Sequence, residues 1–135
     1  MRVTEILERN TEMRYMLMHK LDEDQPGAFD PSPEFIERMG AFVGEAAKAG
    51  VLLAGEGLEK SSKESGRITA EKGKTTITDG PFTETKELIA GFALMEVRSK
   101  DEAMEWAKRF VDLFIAAGVD VEVDVRKVNE FSEPA

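Results

Sequence analysis

Two rhythms of apolar residues alternate along this chain. Met13-Arg14-Tyr15-Met16-Leu17-Met18 is a short, dense run that reads as a buried strand. Leu21 to Ser32 is crowded with Asp22, Glu23, Asp24, Pro26, Gly27 and Pro31, so it reads as a loop. Ser32-Pro33 then opens a helix, with a serine cap and a proline whose missing N–H costs nothing in the first turn. Phe35, Ile36, Met39, Phe42, Val43, Ala46 and Ala47 recur at spacings of three and four, which makes one apolar stripe. Gly50 stops the helix and Val51-Leu52-Leu53-Ala54 starts a strand.

Gly55 to Gly73 is polar, and Arg67-Ile68-Thr69-Ala70 and Lys74-Thr75-Thr76-Ile77-Thr78 flank Glu71-Lys72-Gly73 as a hairpin. Asp79-Gly80-Pro81-Phe82 is a fixed corner, since glycine admits backbone angles closed to other residues and proline locks its own. Ala90 to Val97 is a further strand. Ser99 and Glu102 form a capping box for a second long helix, whose stripe is Ala103, Trp106, Ala107, Phe110, Leu113, Phe114 and Ala117. After Gly118, Val119, Val121, Val123 and Val125 alternate with Asp120, Glu122, Asp124 and Arg126, the period of a strand with one apolar face.

The halves rhyme: strand, long helix, Ala-Gly-Val, strand, with Ala49-Gly50-Val51 answered by Ala117-Gly118-Val119. The expected fold is α+β, a ferredoxin-like βαββαβ plan with an inserted β-hairpin. Residues 1–12 form an N-terminal extension, 13–128 the domain and 129–135 a C-terminal tail. Both helices then cover one face of the sheet, and a chain this short has no third layer for the other. A homodimer, sheet against sheet, solves that problem.

Composition narrows the roles. A single domain of 135 residues with 41% hydrophobic content has a real core. A formal net charge of −9 argues against nucleic acid, which needs a basic face, and against anionic membranes. No apolar N-terminal segment resembles a signal peptide, and Leu88 to Met95, the longest apolar run, falls far short of the ~20 residues that span a bilayer. Cysteine is absent, which removes disulfides and thiolate chemistry. The expected location is cytoplasmic, with no cofactor and no metal.

Candidate chemistry gathers around the corner. Asp79 is a general base or ligand anchor, or it caps the Gly80-Pro81 turn through its own backbone. Phe82 anchors the corner to the core. Glu84, Lys86 and Glu87 line a pocket mouth, or they are a helix-start charge set. Glu56, between Gly55 and Gly57, either meets a ligand at that corner or belongs to a bulge. His19, the only histidine, titrates near neutrality and reads as a surface residue just beyond the first strand, with a minor catalytic candidacy. Trp106, Phe110 and Phe114 read as core packing rather than as the wall of a ligand site.

Tyr15-Met16-Leu17, Gly55-Glu56-Gly57-Leu58, Thr78-Asp79-Gly80-Pro81-Phe82, Glu84, Lys86-Glu87 and Trp106-Ala107 together resemble the YCII-related family, in its DGPF-domain branch. The similarity runs from about Met13 to Val128, and the Asp79 to Glu87 block is its most specific part. It implies a dimeric α+β barrel. It also implies a His–Asp acid–base pair with the histidine on the first helix, yet Pro33 to Ala49 holds no histidine, and the usual Glu-Val-Arg-Pro ending is Asp124-Val125-Arg126-Lys127. Some members of the branch are encoded near sigma factors. The resulting expectation is a homodimer that binds a small polar ligand near the corner, as an accessory to transcriptional regulation. The alternative is a cofactor-free acid–base isomerase or lyase using Asp79 with Glu56, His19 or Lys86.

Overall fold

Local hydrogen bonds set both helices. Ser32 Oγ accepts the Phe35 N–H at 3.1 Å and Pro33 occupies the first turn of α1 (Pro33–Lys48). Ser99 Oγ accepts the Glu102 N–H at 3.1 Å at the start of α2 (Lys100–Ala116), and Glu102 reaches back to the Arg98 N–H at 3.1 Å. At the other ends, the Ala-Gly-Val repeat has one physical cause. Gly50 (φ 75) donates to Ala47 O and Val51 to Ala46 O, while Gly118 (φ 71) and Val119 repeat the pattern on Ile115 and Phe114. Each glycine supplies the left-handed turn, and each valine is buried as it caps the orphan carbonyl of the last turn.

The computed structural model of the chain describes residues 12–82 and 88–130. Its strands are β1 (Met13–Leu21), β2 (Leu52–Gly57), β3 (Gly66–Glu71), β4 (Lys74–Asp79), β5 (Leu88–Val97) and β6 (Glu122–Lys127). The main sheet has the order β2-β5-β1-β6, antiparallel throughout, and β3-β4 form a separate two-stranded sheet. This is the ferredoxin-like α+β plan, with the hairpin inserted between the halves.

Register decides what faces the helices. Tyr15, Leu17 and Leu21 of β1, Met95 and Val97 of β5, and Ala103, Ala107 and Phe114 of α2 are buried in two apolar clusters that Phe110 joins. The opposite face pairs Met16 with Leu94 and Met18 with Phe92, all partly exposed. Lys20 meets Asp124 at 2.9 Å and Glu122 at 3.2 Å there, which shows that the charged side of β6 points away from the helices. A bulge at Ala90, opposite the His19–Lys20 step, brings both Ala90 and Gly91 to the helix side as buried residues.

Two strand limits differ from the sequence reading. β1 continues through His19 to Leu21 because His19 pairs with Gly91 on one side and Val123 on the other. β6 starts at Glu122 rather than Val119, because Val119 belongs to the helix cap and the Gln25 side chain holds the Asp120 backbone at both its N–H (2.6 Å) and its carbonyl (3.0 Å). At the C-terminal end, Glu130 stays attached to the sheet through a two-pronged bond to Arg14, each contact 2.7 Å.

Candidate functional site: an apolar cavity holding one imidazole

A cavity of about 610 Å³ opens between α1, α2 and the helix-facing side of the sheet, a volume in the range of small-molecule sites. It exists because α1 packs on α2 and β2 but makes no close approach to β1 or β5. Aromatic stripes from both helices therefore line a gap. Phe35 stands edge-on to Phe114 at 5.1 Å, Phe110 edge-on to Phe114 at 5.1 Å, and Phe42 lies 5.9 Å from Trp106. On the outer side of these rings, Arg109 pairs with Glu45 across the helices and lies 4.8 Å over Trp106 and 5.3 Å over Phe42.

His19 stands on the floor of this cavity. Its ring lies 5.3 Å from Phe110 and 5.6 Å from Phe114. Directly beneath is Gly91, where any Cβ would collide with His19 Cε1 and come within 2.8 Å of the Glu56 carbonyl oxygen. A glycine is needed so that the imidazole can lie against the strand. Burial among apolar groups lowers the His19 pKa from its ordinary 6.5 to about 4, so the ring is neutral at physiological pH. Among the described residues no sealed side-chain nitrogen or oxygen lacks a partner, and His19 has no hydrogen-bond partner. Its ring nitrogens therefore keep accessible surface, with Nδ1 on the side toward Gly91.

The other expected site residues lie differently. Glu56 borders the cavity, but it pairs with Phe92, which turns its side chain to the far face of the sheet. Asp79 is exposed at the end of β4 opposite Gly66, and its carboxylate makes no hydrogen bond among the described residues. The expected meeting of Asp79 with Glu56 at one place is thus not observed: they belong to different sheets, and neither Asp79 nor Phe82 lines the cavity. Glu84, Lys86 and Glu87 lie outside the described residues. His19 is not a surface residue beyond the strand but part of it, and the Trp106, Phe110 and Phe114 stripe both packs the core and walls the cavity.

The corner is held by residues that sequence reasoning passed over. Glu23 accepts from the Ser61 N–H at 2.6 Å and from Ser61 Oγ at 2.7 Å, and Ser61 Oγ accepts the Phe82 N–H at 3.0 Å. Ser61 is buried, and a Cβ on Gly80 would collide with its carbonyl oxygen. The Gly80 N–H bonds Ser65 O at 2.9 Å, the Gly80-Pro81 bond is cis, and Arg67 lies 4.1 Å over the Phe82 ring. This network ties the β1–α1 loop to the base of the hairpin. Its signal was only a pair of polar residues, Glu23 and Ser61, far apart in loops.

A family model of the YCII-related domain matches residues 13–129. The chain belongs to the YCII-related family. One relative, the uncharacterized protein R00369 of Rhizobium meliloti (strain 1021), is 50% identical over 36 residues, which is 27% of this chain and 29% of that protein. The match thus spans under a third of the relative's length. For this YCII-related chain, the matched residues include every described strand and helix. Among its described residues, no helix is long and apolar enough to cross a membrane.

Proposed function

We propose that this YCII-related chain is a homodimeric small-molecule-binding protein whose ligand occupies the cavity between the helices and the sheet. One observation carries the reading: a cavity of about 610 Å³, walled by apolar side chains, exposes a single unpaired and neutral imidazole. Few convergent polar groups in a mostly apolar concavity is the usual composition of a ligand site. The proposal moves the site from the Asp79 corner to His19 and gives the corner the task of securing the loop at residues 22–32, part of which borders the cavity. Binding is favoured over acid–base catalysis, because among the described residues no carboxylate is bonded to His19 to orient or charge it, as in the triads that activate a nucleophile.

Dimerisation through the far face of the sheet is part of the same proposal. Met16, Met18, Phe92 and Leu94 form an apolar centre, and Arg14, Lys20, Glu122 and Asp124 lie around it, the layout of an interface with a polar rim. A metabolite screen by thermal shift should find compounds that raise the melting temperature in proportion to the logarithm of concentration. Those compounds should also perturb Trp106, the chain's single tryptophan, which stands in the cavity wall. A broad library without any such compound would refute the binding role. Light scattering after size exclusion should give twice the chain mass, and a monomer at micromolar concentration would refute the assembly.

A further inference from the structure

We infer that the cavity selects an uncharged aromatic molecule whose one polar substituent bonds the imidazole of His19; this narrows, and rests on, the binding role proposed above. The walls say which shape is favoured. Phe35, Phe42, Trp106, Phe110 and Phe114 form a continuous chain of ring contacts along one side, edge-to-face around Phe114 and tilted around Phe42. A flat ring entering the gap continues that array, gaining ring-to-ring geometry that a saturated ring of equal size cannot reproduce.

The charges say what is refused. Among the described residues, the lining contains no lysine or arginine, and its ionisable members besides His19 are Asp30 and Glu56, both acidic. An anion would lose its hydration with no counter-charge to meet it. A cation would lose its hydration likewise, because the Glu56 side chain turns to the far face of the sheet and Asp30 is exposed. What remains is a neutral molecule. His19 is uncharged and unpaired, so it presents one acceptor and one donor nitrogen, and a hydroxyl or N–H group on the ligand can bond one of them. Leaving that imidazole unmet in a filled cavity would be unfavourable, so the substituent is part of the selection.

The test uses the full-length protein and four probes of matched size: 2-naphthol, decahydro-2-naphthol, 2-naphthoate and 2-naphthylmethylammonium. Affinity is measured by calorimetry, and the single Trp106 indole N–H resonance reports where each probe sits. The expected result is that 2-naphthol binds about tenfold or more tightly than each of the others and shifts the Trp106 signal. In His19→Leu its advantage over naphthalene, measured as a fifth probe, should disappear. Should that variant not fold, the wild-type ranking decides alone. Equal or tighter binding of the saturated alcohol or of either ion, with Trp106 still perturbed, overturns the ligand class and leaves the binding role standing. No perturbation of Trp106 by any probe overturns the ligand class, and the metabolite screen described above then decides the binding role.

Discussion

Replacing His19 by glutamine should remove a specific part of the protein's acid sensitivity. In the unfolded chain His19 takes up a proton near its ordinary 6.5, whereas in the folded chain it does so only near about 4. Above 6.5 both states are neutral there and the group contributes nothing to the pH dependence. As pH falls from 6.5 toward 4 the unfolded state binds the proton first, so folding stability is lost across that window and the loss levels off below it. Each pH unit in the window is worth at most ~1.36 kcal/mol, which sets a ceiling of about 3 kcal/mol. Water entering an open cavity screens part of this, and about 1–2 kcal/mol is the expected remainder. Urea denaturation followed by Trp106 fluorescence at pH 7, 6, 5 and 4.5 measures it, at one fixed protein concentration because association also contributes. The acidic side chains titrate in the same region, so the decisive quantity is the wild-type curve minus the His19→Gln curve. That difference should decline as pH drops. Parallel curves would refute the reasoning and, with it, the picture of an unpaired imidazole in an apolar cavity.

Other substitutions probe the neighbouring supports. Gly91→Ala should destabilise by about 1–3 kcal/mol in urea, because the new methyl meets both the His19 ring and the Glu56 carbonyl; a loss below the measurement error would mean that the ring does not rest on the strand. Ser61→Ala removes the acceptor of the Phe82 N–H and one donor to Glu23, at a cost of about 1–3 kcal/mol. Limited proteolysis should then cut near the base of the hairpin, and unchanged resistance there would contradict the fastening role. Leu94→Glu should yield monomers in light scattering while far-ultraviolet circular dichroism stays unchanged, and persistence of a dimer would exclude the open sheet face as its interface.

The parts of the fold that could be read from the sequence are those governed by neighbours in the chain. Ser32, Ser99 and the two Ala-Gly-Val triplets act through hydrogen bonds three to five residues away, and the structure realises each one. His19 was misread because the end of β1 depends on pairing with Gly91 and Val123, partners more than 70 residues distant, while its local context looks like a loop entrance. Glu23 and Ser61 were invisible for the same reason. The cavity is harder still. Both aromatic stripes were visible, but periodicity reports which side of a helix is apolar and not whether two such sides close on each other. The corner illustrates the opposite error: Asp79-Gly80-Pro81-Phe82 is conspicuous in the sequence for the backbone it builds, and Gly80 is needed because Ser61 leaves no room for a side chain.

Among the described residues, the β3–β4 hairpin shares hydrogen-bonded edges only with itself and approaches no other helix or strand. Its tip, Glu71-Lys72-Gly73-Lys74, is thus mechanically uncoupled from the chamber that holds His19, with Ser61 and Gly80 acting as the clamp at its root. Peptides, fluorophores or surface tethers could be grafted at that tip without disturbing the strand register beneath. This makes the arm a natural handle for immobilising the protein while its interior is interrogated.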